Sequence, residues 1–232
     1  MITARGLTRD YGQTHALVGA SFEAPPGQTV ALLGPNGAGK STLLQILAGV
    51  LLPTSGDAKV AGVLLPEDTK RLGRKIGFVP QGENLYPELT TRENLAFFGR
   101  LEGVRGRRLR ERVDRLLGEF ALADRAHVRA GDLSGGLRQR AAVASCLIHE
   151  PDVLLLDEPG TGLDPAARER LARLLRAYRG ETRTILFSTH DLVEASRVAD
   201  RVLFLLNGRI VSDLPASEAP KLDARYRGLE AP

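Results

Sequence analysis

The sequence predicts an α/β fold in three parts: a core of alternating strands and helices, an antiparallel β-subdomain at the N-terminus, and a helical subdomain inserted at about residues 82–150. Two observations carry this prediction. Apolar runs of strand length at 29–33, 153–156, 184–187 and 202–206 alternate with stretches of helical periodicity, the pattern of a parallel sheet covered by helices. The glycine-rich run Gly34-Pro35-Asn36-Gly37-Ala38-Gly39-Lys40-Ser41-Thr42 joins the first of these strands to the first helix. The 232 residues read as one domain with one inserted lobe.

Along the chain, residues 1–30 read as short strands and turns, with rough alternation over 16–22 and a turn at Pro25-Pro26-Gly27. After the glycine-rich loop, Leu43, Leu44, Ile46, Leu47 and Val50 follow at helical spacing. Residues 53–56 mark a turn. Strand candidates at 59–61 and 75–79 are separated by a short polar helix at 66–73. The inserted part is helical: Leu95, Phe98 and Leu101 sit three apart, and Leu109, Val113, Leu116, Leu117 and Phe120 form an amphipathic stripe. A further helix starts after Ser134. Beyond 151, the 165–179 helix carries Leu171, Leu174, Leu175 and Tyr178 on one face. Asn207-Gly208 marks a hairpin. The polar tail from about 214 to 232 is expected to be loosely ordered.

Composition excludes several classes. Apolar residues make up 43% and charged residues 26%, ordinary for a globular domain. No apolar run approaches the roughly 18 residues of a membrane span, and no basic-then-apolar leader precedes the domain. A cytoplasmic location is therefore expected. The single cysteine, Cys146, rules out an internal disulfide, and its apolar neighbours predict a buried, inert thiol. A net charge of +4 does not single out nucleic acid, and no nucleic-acid partner is expected. Arg100, Arg105, Arg107, Arg108, Arg110, Arg112 and Arg115 read as a solvated helix face, with contact to anionic lipid or an acidic partner as the alternative.

The glycine-rich run matches G-x-x-x-x-G-K-S, the phosphate loop of P-loop NTPases. Its glycines let successive N–H groups curl round one anion, at a helix N-terminus whose dipole favours negative charge. Lys40 supplies a point charge for the β- and γ-phosphates, and Ser41 a hydroxyl for Mg2+. The strand 153–156 ends in Asp157-Glu158. Asp157 fits the acid that holds Mg2+ in such enzymes, and Glu158 the base that orients and deprotonates water. His190 follows another strand end, on the rim where parallel sheets bind ligands, and can hydrogen-bond a γ-phosphate. His15, His127 and His149 read as surface residues. Ser134-Gly135-Gly136, at a helix start, reads as a second small anion site.

Leu133-Ser134-Gly135-Gly136, with Arg138-Gln139-Arg140 after it, resembles the signature of the ATP-binding cassette (ABC) ATPases. Other motifs of that family fall in order between residue 1 and about 213. Tyr11 resembles the aromatic that stacks on adenine, Gln81 the Q-loop glutamine, Asp157-Glu158-Pro159 the Walker B end, Gly162-Leu163-Asp164 the D-loop and His190 the switch histidine. The resemblance implies that MgATP lies between two copies. Gly34 to Thr42 of one copy then face Ser134, Gly135 and Gly136 of the other, with Asp164 nearby and Gln81 reaching both the metal and the reacting phosphate. Leu137 stands where the family usually has Gln, which is expected to alter affinity or coupling modestly. Gly160 is also unusual, and is expected to loosen the loop before Asp164.

The stretch from Gly82 to Thr90, followed by Arg92-Glu93-Asn94-Leu95, resembles ATPases of ABC-2-type exporters. The resemblance therefore implies an ATP-binding and ATP-hydrolysing subunit of an exporter. It would act as a homodimer on the cytoplasmic face of the membrane and power a separate permease. Two other readings are a soluble ABC ATPase of a cofactor-assembly system and a non-hydrolysing nucleotide sensor. Intact Lys40, Asp157, Glu158 and His190 argue against the sensor.

Overall fold

The computed structural model describes residues 1–82 and 84–219. Strand β3 (Thr29–Leu33) is buried at every position. Such a strand needs neighbours on both edges and cover on both faces. Its sheet supplies the edges. In order across that sheet lie β10 (Arg209–Pro215), β9 (Arg201–Leu206), β3, β8 (Thr184–Thr189), β7 (Val153–Leu156) and β6 (Ile76–Val79). The five strands from β9 to β6 run parallel, and β10 returns antiparallel from β9 through the Asn207-Gly208 turn. The N-terminal part is a four-stranded antiparallel sheet of β2 (Thr14–Ala24), β1 (Ile2–Tyr11), β4 (Ser55–Val60) and β5 (Val63–Leu65).

Period-two alternation sends each strand's side chains into two cores. Val30, Leu32, Leu155, Leu186 and Leu203 pack with α1 (Lys40–Leu47) and the antiparallel sheet. Their neighbours Ala31, Leu33, Leu154, Phe187 and Val202 pack with the helices on the other face. These are α2 (Thr91–Leu101), α3 (Gly106–Glu119), α4 (Gly135–Cys146), α5 (Pro165–Arg179) and α6 (Leu192–Val198). The first three lie in sequence between β6 and β7, and α4 packs on α2 and β6. Helix α2 starts on a Thr90/Glu93 capping box, and α5 on the Asp164 carboxylate with Pro165 at its first turn.

Several sequence expectations need correcting. Residues 66–73 form no α-helix; they make 3-10 turns at Thr69–Arg71 and Gly73–Lys75. Eight residues containing a glycine do not offset the cost of helix nucleation. Val50 lies beyond α1 and is exposed, as is Leu101 at the end of α2. The tail is ordered further than expected. Leu214 and Pro215 pair with Val202 and Arg201, the Ala216 N–H donates to the Asp200 carbonyl, and Ala219 is fully buried. The remainder of that stretch, 220–232, lies outside the described residues, as does Glu83 in the 82–90 stretch. The arginine stretch is only partly a solvated face. The Arg112 guanidinium is buried, donating to the Ile148 carbonyl (2.9 Å) and to Glu150, which also takes Arg115. His149 is not a surface residue: it is half-buried, with Nε2 2.8 Å from the Ile76 carbonyl.

Candidate active site

The phosphate loop is shaped by contacts that exclude any side chain. A Cβ at Gly34 would stand 2.3 Å from the Leu205 carbonyl oxygen, and one at Gly39 would stand 2.3 Å from that of Ala16. Gly39 also has φ +104°, a conformation L side chains rarely adopt. Helix α1 therefore starts on a residue with no side chain to cap it, and no acidic residue sits in its first turn. Its first N–H groups are left for an anion. Asn36 and Gly37 are exposed at the loop's tip, while Pro35, Ser41 and Thr42 are half-buried and Ala38 is buried. Lys40 is 5% exposed. Its Nζ donates to the carbonyls of Gly34 (2.8 Å) and Pro35 (3.0 Å) and lies 3.5 Å from Glu158 Oε1.

The neighbouring strand ends bring the other reactive groups to this loop. Asp157 is buried, and its Oδ1 accepts from the Ser188 hydroxyl (2.5 Å). The same hydroxyl accepts from the Glu158 N–H (2.8 Å), so β7 and β8 are tied at their carboxyl ends. Glu158 has φ +50°, a left-handed conformation that costs a non-glycine residue about 1–3 kcal/mol and is concentrated at functional sites. Its Oε2 accepts from Thr161 Oγ1 (2.9 Å) and lies 3.4 Å from His190 Nδ1. Burial pushes the Glu158 carboxyl up, but the Thr161 hydrogen bond, Lys40 and His190 together outweigh it and hold it below the ordinary carboxylate range. It is therefore ionised at neutral pH. His190 is half-exposed.

The remaining residues singled out in the sequence lie outside this set of contacts. Gln81 is exposed just beyond β6, and the ends of β6 and β7 are paired at Val79 and Leu156, so it shares the rim with Asp157. Tyr11 ends β1, about half-exposed, with the Arg9 guanidinium 4.7 Å from its ring centroid. Ser134 and Gly135 are exposed and Gly136 half-buried at the start of α4, where Ser134 makes no capping bond. Asp164 spends Oδ1 on the Ala167 N–H (2.9 Å). Leu137 packs partly into the helical core. Sequence reading missed Ser188, which links Asp157 to Glu158, and Thr161. Neither belongs to a spaced motif, although Ser188 is the polar residue closing an apolar strand.

A groove of about 510 Å3 runs between β6 and the helices, lined by Phe78, Pro80, Asn84, Phe98, Ala142 and Ser145 among others. Among the described residues, Ser145 Oγ and His149 Nδ1 are buried beside it without hydrogen-bond partners. Cys146 also lines it, and burial pushes its thiol far above the ordinary range.

The family model described as ABC transporter matches residues 12–161. The chain belongs to the ABC transporter family. It is 42% identical over 213 residues to the Nod factor export ATP-binding protein I of Ralstonia nicotianae, covering 91% of this chain and 66% of that protein. It is 40% identical over 208 residues to the protein of the same name from Paraburkholderia xenovorans, covering 89% and 68%. The chain thus spans about two thirds of the length of these relatives. A solved dimeric ATP-binding cassette, in a post-hydrolysis state bound to ADP and Pi, superposes with a TM-score of 0.84 at 28% identity, covering 93% of this chain and 99% of that one. As an ABC transporter ATPase chain, this protein takes ATP as its substrate.

The residues present fit Mg2+ as well. Ser41 and Asp157 are oxygen donors suited to a hard cation. Among the described residues no group of three or more His, Cys, Asp or Glu could hold a metal alone, so the shell would need phosphate oxygens to complete it. No helix among the described residues is long and apolar enough to cross a membrane.

Proposed function

We propose that this chain is the ATP-hydrolysing subunit of an exporter, working as a nucleotide-held homodimer on the cytoplasmic face of the membrane beside a separate permease. The observation that carries the reading is the convergence of Lys40 and His190 on the Glu158 carboxylate. The relatives' names as export ATP-binding proteins favour an exporter over a cofactor-assembly ATPase.

In this reading the loop N–H groups from Gly34 to Thr42 and the first turn of α1 hold the ATP phosphates, and Lys40 neutralises charge on the β- and γ-groups. Ser41, Asp157 and Gln81 are the residues that would hold Mg2+, which when bound offsets the charge of the triphosphate. A water attacks the γ-phosphorus, Glu158 takes its proton, and the bond to the β-phosphate oxygen breaks. His190 steadies Glu158 and hydrogen-bonds the γ-phosphate. Positioning and electrostatics supply most of the rate. Release of phosphate by the purified chain, abolished in Glu158→Gln, and copurification with a permease from membranes test the two halves of the proposal.

Tyr11 takes the adenine on its ring. Tyr11→Ala is expected to weaken ATP about 5- to 150-fold, the range for about 1–3 kcal/mol of base stacking, while inorganic triphosphate binds as before. Unchanged ATP affinity in titration calorimetry would remove Tyr11 from the site.

The groove between β6 and the helices, lined by Phe78, Pro80, Asn84 and Phe98, takes a segment of the permease. Tyr86, exposed beside the groove and packed edge-on against Phe97 at 4.7 Å, is its aromatic anchor. Tyr86→Ala is expected to weaken pull-down of the permease while ATP affinity of the isolated chain stays unchanged. Loss of both together would point to misfolding and against this anchor.

A further inference from the structure

A side chain outside every motif joins the turn after β7 to the end of β8. Glu194 lies half-buried in the first turn of α6. Its Oε2 accepts from Thr189 Oγ1 at 2.5 Å. The Asp191 N–H donates to that same hydroxyl at 3.0 Å, which leaves its proton directed at Glu194. The other carboxylate oxygen fills the space above Gly160: a Cβ there would stand 2.0 Å from Oε1 and 2.8 Å from Cδ.

Arg168 of α5 closes the ring from the other side. Its Nε donates to the Gly160 carbonyl (3.1 Å) and its Nη1 to Asp191 Oδ2 (3.1 Å). Asp191 Oδ1 in turn caps α6 through the Val193 and Glu194 N–H groups. Burial pushes the Glu194 carboxyl up, against the pull of the Thr189 hydroxyl, as befits a group packed between elements. The sequence alone suggests that Gly160 loosens its loop. The structure adds a packing role for this glycine, because the space a side chain would occupy is taken by the Glu194 carboxylate.

We infer that Glu194, assisted by Arg168, is a positioning residue for hydrolysis. It holds the Gly160 turn against the end of β8. Glu158 lies two residues before Gly160, and His190 directly follows Thr189. The Glu194 contact therefore fixes the base and the γ-phosphate sensor relative to each other. This rests on the reading of Glu158 and His190 given above. The Gly34 N–H donates to the Thr189 carbonyl (3.3 Å), but Glu194 bonds only the Thr189 hydroxyl and the strand pairing of β3 with β8 holds that carbonyl independently, so the effect is expected on turnover and not on ATP affinity.

The test is steady-state phosphate release by the purified full chain with MgATP, alongside thermal melting. Glu194→Ala is expected to lower kcat roughly tenfold, the scale of a sub-ångström misplacement, with KM for ATP and Tm unchanged. Glu194→Gln keeps an oxygen to accept from Thr189 and is expected to recover most of kcat. Gly160→Ala displaces the carboxylate and is expected to match Glu194→Ala. The double variant then falls no further than either single, the mark of one shared contact. Wild-type kcat in Glu194→Ala overturns the inference, as does a loss explained by lower Tm or raised KM, or single effects that multiply in the double. Glu158→Gln is assayed in parallel: if it keeps wild-type turnover, the reading of Glu158 as base fails. If it is inactive while Glu194→Ala is not, only the positioning role fails.

Discussion

Lys40→Ala is expected to abolish measurable ATP binding. Lys40 is the only cation in the stretch 34–42, and its ammonium is held at the loop by the Gly34 and Pro35 carbonyls. A hydrogen bond to a charged group is worth about 1.5–3 kcal/mol, so losing contacts to two phosphates lowers affinity about 10²-fold or more. Alanine also leaves Glu158 without its buried counter-charge at 3.5 Å, which adds repulsion toward an incoming triphosphate. Nucleotide titration by calorimetry checks the result, with thermal melting as the control for folding. A folded variant that binds ATP as tightly as the wild type would remove the loop from the nucleotide site.

Much of this site was legible because its chemistry is contiguous in the chain. The loop from Gly34 to Thr42 carries its own backbone geometry, and Asp157, Glu158 and His190 sit one or two residues past apolar strands whose parallel pairing puts their ends on one rim. The sheet was legible for the same reason, since strands buried on both faces read as unbroken apolar runs. What escaped notice depends on tertiary contact. The Gly160–Glu194 packing joins residues 34 apart, and the burial of Arg112 rests on Glu150, 38 residues away. Local composition showed one only as a glycine in a loop and the other as a solvated charge. The short polar stretch 66–73 failed differently: its helix propensity was real but too brief to outweigh nucleation. The tail at 214–219 is polar, yet the β9–β10 register and two buried alanines hold it.

Glu158→Gln is expected to lower hydrolysis by about 10²–10⁴-fold, the contribution of a positioned general base, and to trap an ATP-bound dimer. The amide keeps the shape of the carboxylate between Thr161, His190 and Lys40 but takes no proton. The dimer follows from where the two uncapped helix starts lie. The loop at α1 follows β3, whereas the start of α4 is fixed elsewhere: a Cβ at Gly136 would stand 3.6 Å from Leu163 Cδ2 and 3.5 Å from Ala167 Cβ, in the turn after β7 and the first turn of α5. One chain therefore does not fold the start of its own α4 over its own loop. A two-fold pair does, because an isologous interface sets each α4 against the other copy's loop. Ser134, exposed and not used as a cap, then meets the γ-phosphate from the far side, with Gly136. ADP lacks that phosphate and gives the partner's Ser134 nothing to hold. In size-exclusion chromatography with light scattering, Glu158→Gln is expected to elute as a dimer with MgATP and as a monomer with ADP. Adding Ser134→Arg fills the partner's phosphate contact, and this second change is expected to abolish the dimer while ATP binding persists. A Glu158→Gln chain that stays monomeric at saturating MgATP, or a Ser134→Arg double variant that still dimerises, counts against nucleotide as the bridge between copies.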